Sequence, residues 1–120
     1  MTSVLIVDDE PDIRVLVRLA LERAGYTVTE AASGTEALGM LQEHELDVVL
    51  LDVRMPDLSG WDVLEQLGER TPGAGPRFIM LSAHVDAAAR AQAAAAGAEY
   101  MSKPFLPQQL VAAIGALTEG

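Results

Sequence analysis

Continuous apolar runs alternate with stretches of helical periodicity along the whole chain. Residues 3–8, Ser-Val-Leu-Ile-Val-Asp, are unbroken and partly β-branched, the mark of a strand covered on both faces. Pro11 suits the first turn of the helix that follows, and Asp9, Glu10 and Asp12 favour its positive N-terminal end. Its apolar stripe reads Ile13, Leu16, Val17, Ala20, Leu21 and Ala24, spaced for one helical face, before Gly25 stops it. Residues 26–31 alternate as a more exposed strand. Ser33 and Glu36 then have the spacing of a capping box, for a helix running to about His44. Residues 47–52, Asp-Val-Val-Leu-Leu-Asp, are the most apolar stretch and read as the central strand. A third helix is predicted from Gly60 to about Arg70 on Trp61, Val63, Leu64 and Leu67. The breaker cluster 71–76 is a connector, and Arg77–Ser82 is a fourth buried strand. An alanine-rich helix from about Asp86 to Ala96, a short strand Glu99–Ser102 and a last helix from about Pro107 to Leu117 complete the pattern. The fourth helix buries little area per residue and is the least firmly anchored.

Five strand–helix units without an internal boundary predict one domain over residues 1–120. Right-handed crossovers between parallel strands put helices on both faces, giving a flavodoxin-like (βα)5 doubly wound α/β sheet of strand order 2-1-3-4-5. At 120 residues the chain is long enough for one good core. No apolar run approaches the ~20 residues of a membrane span, and the N-terminus meets Asp8 too early for a secretory signal. Absence of cysteine excludes a disulfide framework and fits a reducing cytoplasm. A net charge of −10 argues against direct nucleic-acid binding.

Where strands end, that acidity acquires a location. In this topology the C-terminal strand ends share one crevice, so Asp8 and Asp9 after the first strand converge with Asp52 after the third. Ser82 ends the fourth strand beside them and Lys103 follows the fifth. Clustered acids repel one another unless a cation sits among them, and oxygen donors suit Mg²⁺. Carboxylates, a hydroxyl and an ammonium around such an ion suit phosphoryl transfer, and Asp52, ending the central strand, is the best-placed nucleophile.

The segments Val4-Leu5-Ile6-Val7-Asp8-Asp9-Glu10, Leu51-Asp52-Val53-Arg54-Met55-Pro56 with Gly60, Leu81-Ser82-Ala83 and Tyr100-Met101-Ser102-Lys103-Pro104-Phe105 occur in order on these elements. Together they resemble the receiver domain of bacterial two-component response regulators over essentially the full chain. The resemblance implies that Asp52 accepts a phosphoryl group from the phosphohistidine of a sensor histidine kinase or a histidine phosphotransfer protein. It implies Mg²⁺ held by Asp9, Asp52 and the Arg54 backbone carbonyl, with Asp8 acting through water. It further implies that Ser82 and Lys103 contact the phosphoryl oxygens, that Lys103–Pro104 is a cis peptide, and that Tyr100 is the switch aromatic that turns inward with Ser82. Arg54 and His84, two residues beyond Asp52 and Ser82, stand where the resemblance places residues that flank water's access, and are expected to tune the phosphoryl lifetime and make it long. The off-stripe face of the first helix, with Val15, Leu19, Arg18 and Glu22, is where donor helices dock in this family. Members that dimerise through charged pairs on the fourth and fifth helices and fifth strand differ from this chain, whose residues 108–117 carry no charge.

The chain is then expected to be a cytoplasmic phosphoacceptor that catalyses its own modification, not a turnover enzyme, with the output in another domain or partner. A haloacid-dehalogenase-like phosphatase wants an Asp-x-Asp on the first strand, which Asp8-Asp9-Glu10 does not supply. A flavin site wants a Ser/Thr/Gly-rich loop where this chain has Asp9-Glu10-Pro11-Asp12. A receiver-like module that binds partners without phosphorylation would leave every one of these groups unused.

Overall fold

A computed structural model describes residues 2–68, 75–83 and 87–118. The elements are β1 (Ser3–Val7), α1 (Pro11–Arg23), β2 (Thr27–Ala31), α2 (Gly34–Glu43), β3 (Val48–Asp52), α3 (Gly60–Leu67), β4 (Arg77–Ser82), α4 (Ala87–Ala95), β5 (Glu99–Ser102) and α5 (Pro107–Thr118). All strand pairs are parallel, in the order β2-β1-β3-β4-β5, which is the expected flavodoxin-like sheet.

Alternation along the strands divides the core in two, because successive side chains leave opposite faces. Leu5, Val7, Val49, Leu51, Phe78 and Met80 face α2, α3 and α4, packing on Ala37, Val63, Leu64 and Ala93. Val4, Ile6, Val48, Leu50, Ile79 and Leu81 face α1 and α5 through Val17, Leu21, Leu110 and Ile114. Each such aliphatic side chain contributes roughly 1.5–3 kcal/mol by leaving water, so the central strands β1, β3 and β4 are held firmly on both sides. At the edge, β2 is only partly buried, and α4 has Ala93 as its buried residue.

Two details depart from the periodicity. Leu16 is 54% exposed and Ala24 is exposed, so the inward stripe of α1 is narrower than predicted. The helix rests on the sheet along Val17 and Leu21, and a residue one position before Val17 is rotated about 100° away from that contact line. The third helix ends at Leu67, short of Arg70, because Gly68 takes φ +73° and turns the chain out. Residues 69–74 and Asp86, the predicted start of the fourth helix, lie outside the described residues. Among the described residues no helix is long and apolar enough to cross a membrane.

Candidate functional site at the strand ends

Parallel register brings the chemistry together. Val7 pairs with Leu51, which levels Asp8 with Asp52, and Asp52 itself pairs with Leu81, one residue before Ser82. Ser82 pairs with Ser102, and the Lys103 N–H donates to the Ser82 carbonyl at 2.7 Å, so the lysine leaves the sheet beside the same edge. The Lys103–Pro104 peptide is cis, as the resemblance implied.

Asp8 and Asp52 are buried while Asp9 is exposed, and one carboxylate oxygen from each lies within 4.8 Å of the others. Lys103 Nζ donates to Asp8 Oδ2 and to Asp52 Oδ2, both at 3.1 Å. The second oxygens are held by the backbone: Glu10 N–H donates to Asp8 Oδ1 at 2.9 Å and Arg54 N–H to Asp52 Oδ1 at 3.2 Å. Asp9 makes no side-chain hydrogen bond or ion pair among the described residues. It lines an open depression with Val53, Arg54, Met55, Pro56 and Ser59. One ammonium therefore pairs with two of three clustered carboxylates, all hard oxygen donors, and the exposed third, Asp9, has no such partner among the described residues. This donor set fits Mg²⁺, which takes one or two carboxylates and keeps several waters.

Burial is the main influence on Asp52 and raises its pKa above the ordinary carboxylate value; Lys103 opposes this and the charge of Asp8 adds to it. For Lys103, burial works to lower the pKa. Its hydrogen bond to Asp8 and the charges of Asp52 and Asp8 outweigh burial, so the ammonium is held above its usual value. The lysine is a fixed cation whose charge favours the anionic form of Asp52 and opposes the effect of burial.

Ser82 is buried at the end of β4. Tyr100, on β5, packs against the α2/α3/α4 side of the core, with its hydroxyl buried and unpartnered among the described residues. The Arg90 guanidinium sits 5.8 Å from its ring centroid. His84, paired with Arg54 in the sequence reading, lies outside the described residues. Val15 and Leu19 are 42% and 54% exposed, as expected for a free face of α1, and Leu16 joins them.

Sequence reasoning missed two supports of this site. Asp57, in the β3–α3 loop, accepts from Gly34 N–H (3.1 Å), Thr35 N–H (2.9 Å) and Thr35 Oγ1 (2.6 Å), clamping that loop to the start of α2. These bonds hold its carboxyl far below the usual carboxylate range. Ser33 caps the same helix through Glu36 N–H. Arg14 reaches from α1 to the Asp8 carbonyl and to Glu30 of β2. The partners of Asp57 and Arg14 are brought near by the fold, with no local pattern to announce them.

Known proteins share a similar sequence and the same fold. The family model for the response regulator receiver domain matches residues 4–115. The transcriptional regulatory protein ResD of Bacillus subtilis is 42% identical over 117 residues, covering 97% of this chain and 48% of ResD. The transcriptional regulatory protein KdpE of Mycobacterium tuberculosis is 44% identical over 117 residues, covering 97% of this chain and 50% of KdpE. The chain thus spans about half the length of these relatives. The chemotaxis protein CheY4 of Vibrio cholerae superposes with a TM-score of 0.88 at 32% identity, covering 98% of both chains. With its strand order, its acid cluster and a family match over nearly its whole length, this chain belongs to the response regulator receiver domains of two-component signalling.

Proposed function

We propose that Asp52 is the phosphoacceptor of this receiver, taking a phosphoryl group from the phosphohistidine of a sensor histidine kinase or a histidine phosphotransfer protein. The observation that carries this reading is the bridge from Lys103 to both Asp8 and Asp52 at 3.1 Å, beside a third carboxylate that has no partner among the described residues. An Asp52 carboxylate oxygen attacks phosphorus, the P–N bond to the donor imidazole breaks with its electron pair returning to the ring, and an acyl phosphate results. Lys103 keeps Asp52 ionised and then pairs with a phosphoryl oxygen, and the Ser82 hydroxyl donates to another. Asp8, Asp9, Asp52 and the Arg54 carbonyl would hold Mg²⁺, which supplies the positive charge that lets an anionic phosphoryl group approach three acids. Arg54 and His84 tune the lifetime of the acyl phosphate by limiting water's access.

The same reading makes Ser82 and Tyr100 the switch. A buried hydroxyl without a partner is costly by roughly 1–3 kcal/mol; that of Tyr100 has none among the described residues, so its position is one that a small change at Ser82 can bias. The donor docks on the outer face of α1, where Val15, Leu16 and Leu19 are exposed beside Arg18 and Glu22. The chain modifies itself and is not a turnover enzyme; it acts in the cytoplasm, where such donors present their phosphohistidine. Its charge of −10 leaves nucleic-acid contact to other parts, and its output lies in a further domain or a separate partner. Borohydride reduction after treatment with acetyl phosphate and Mg²⁺ tests the assignment, because it traps an aspartyl phosphate at the residue that carried it. Peptide mapping should find the reduced residue at position 52; a reduced residue at position 8 or 9 instead would overturn the assignment.

A further inference from the structure

We infer that Arg14 is a positioning residue for the metal-binding acids, acting through the backbone carbonyl of Asp8. The inference rests on the Mg²⁺ reading of the acid cluster and adds to it a residue on which that cluster depends.

The need for Arg14 arises where β1 leaves the sheet. The Asp8 N–H still donates to the Ala31 carbonyl of β2 at 3.2 Å, but the Asp8 carbonyl lies past the end of the ladder. A tight turn would satisfy it with the N–H three residues on. That residue is Pro11, which has no N–H. The first backbone bond of α1, from Arg14 N–H to the Glu10 carbonyl at 3.2 Å, forms further along. Arg14 Nη1 fills the gap by donating to the Asp8 carbonyl at 2.6 Å.

The guanidinium is itself held in place. Its Nε donates to Glu30 Oε1 at 3.1 Å, and Arg18 Nη1 donates to Glu30 Oε2 at 2.8 Å from the next turn of α1. The Arg14 side chain is 15% exposed, so this bridge is largely sheltered from water. A planar fork is suited to spanning a carbonyl and a carboxylate at once, which a lysine ammonium on a flexible stem is not.

What the bridge positions is the peptide between Asp8 and Asp9. The Asp8 carboxylate has its own anchors in Glu10 N–H and Lys103. Asp9 has no side-chain partner among the described residues, so its direction is set by its backbone alone. The plane of that backbone is the one whose carbonyl Arg14 grips. Releasing the carbonyl lets the Asp8–Asp9 peptide rotate and lets the exposed ligand drift from the other two.

The sign of the effect separates positioning from simple charge. If Arg14 acted only as a cation near three acids, removing its charge would tighten Mg²⁺ binding, and a lysine in its place would change nothing. Positioning predicts the opposite: R14K, with the charge kept and the fork lost, binds Mg²⁺ several-fold more weakly, and R14M on the order of tenfold more weakly, in the range found when a ligand's supporting partner is removed.

The test is calorimetric titration of Mg²⁺ into the wild type, R14K, R14M and D9N, with circular dichroism and thermal melting to establish the folded fraction of each. Weaker Mg²⁺ binding by folded R14K and R14M supports the inference; should R14M fail to fold, R14K decides. A lowered melting temperature with an unchanged dissociation constant would reduce Arg14 to a bond between α1 and β2 and overturn it. Tighter binding by R14M with R14K unchanged would overturn it in favour of charge alone. Wild-type protein that takes up no Mg²⁺, or D9N that binds as wild type does, would instead remove the metal reading beneath.

Discussion

Replacing Lys103 with methionine keeps an apolar stem and removes the ammonium that bridges Asp8 and Asp52. Each pairing at 3.1 Å is a Coulomb attraction of about 5 kcal/mol at an effective dielectric constant of 20. Much of this is offset by the cost of desolvating a lysine whose side chain is 19% exposed against acids that are 0% and 7% exposed. The net loss has a ceiling, because the variant escapes the repulsion of two unpaired acids by binding one proton. Protonating an ordinary carboxyl at pH 7 costs about 4 kcal/mol, and at pH 5 about 1.5 kcal/mol. K103M should therefore lose about 2–4 kcal/mol of stability at pH 7 without Mg²⁺, and no more than about 1.5 kcal/mol at pH 5. The sign follows from Asp52, whose pKa burial already raises and which loses the lysine that opposes it. Between the ordinary value and the raised one the folded state binds more protons than the unfolded state, so stability falls as pH rises through that window. Urea unfolding of wild type and K103M in EDTA at the two pH values measures this. An equal difference at pH 7 and pH 5, or no difference at pH 7, would refute the reasoning that Lys103 compensates these carboxylates.

Mg²⁺ at a hundred times its dissociation constant should stabilise the wild type by about 2.7 kcal/mol, read as a rise of several degrees in melting temperature that D9N largely loses. Gly60→Ala would set a Cβ 2.7 Å from the Asp52 carbonyl oxygen and 2.9 Å from Met80 Cε; it should cost about 1–3 kcal/mol in urea unfolding and slow phosphoryl uptake, since the displaced atom is the backbone of Asp52. Asp57→Ala should cost about 1 kcal/mol at pH 7, as for loss of a helix cap at an exposed site. Because the Asp57 pKa is lowered, that advantage is present above the ordinary carboxylate value and should shrink as pH falls below about 4. Leu16→Glu and Leu19→Glu should leave uptake from acetyl phosphate unchanged and reduce transfer from a phosphohistidine donor at least tenfold, corresponding to about 1.4 kcal/mol of lost docking.

The parts of the fold that were legible in the sequence were those set by local chemistry. Unbroken apolar runs mark strands buried on both faces, and β3 and β4 lie at Val48–Asp52 and Arg77–Ser82, where such runs are found. Once the strands are parallel, the acids and the lysine at their ends must meet, so Asp8, Asp9, Asp52 and Lys103 could be read from position alone. What escaped depends on the angles and distances between elements. Leu16 and Val17 are equally apolar, and only the line along which α1 rests on the sheet decides that Val17 is covered and Leu16 is not. Gly68 interrupts a helical pattern that its neighbours would continue, and its φ of +73° is a property of the folded chain. Arg14 and Asp57 act on backbone groups of other elements, bonds that no spacing rule predicts.

The central claim is that a single aspartate, Asp52, becomes phosphorylated with the help of Mg²⁺. Intact-mass measurement after incubation with acetyl phosphate and Mg²⁺ tests it most directly, with EDTA and the Asp52→Ala variant as controls. The account predicts a gain of one phosphoryl group by the wild type with Mg²⁺, and none in EDTA or in the variant. No gain by the wild type, or a gain that persists without Asp52, would contradict it.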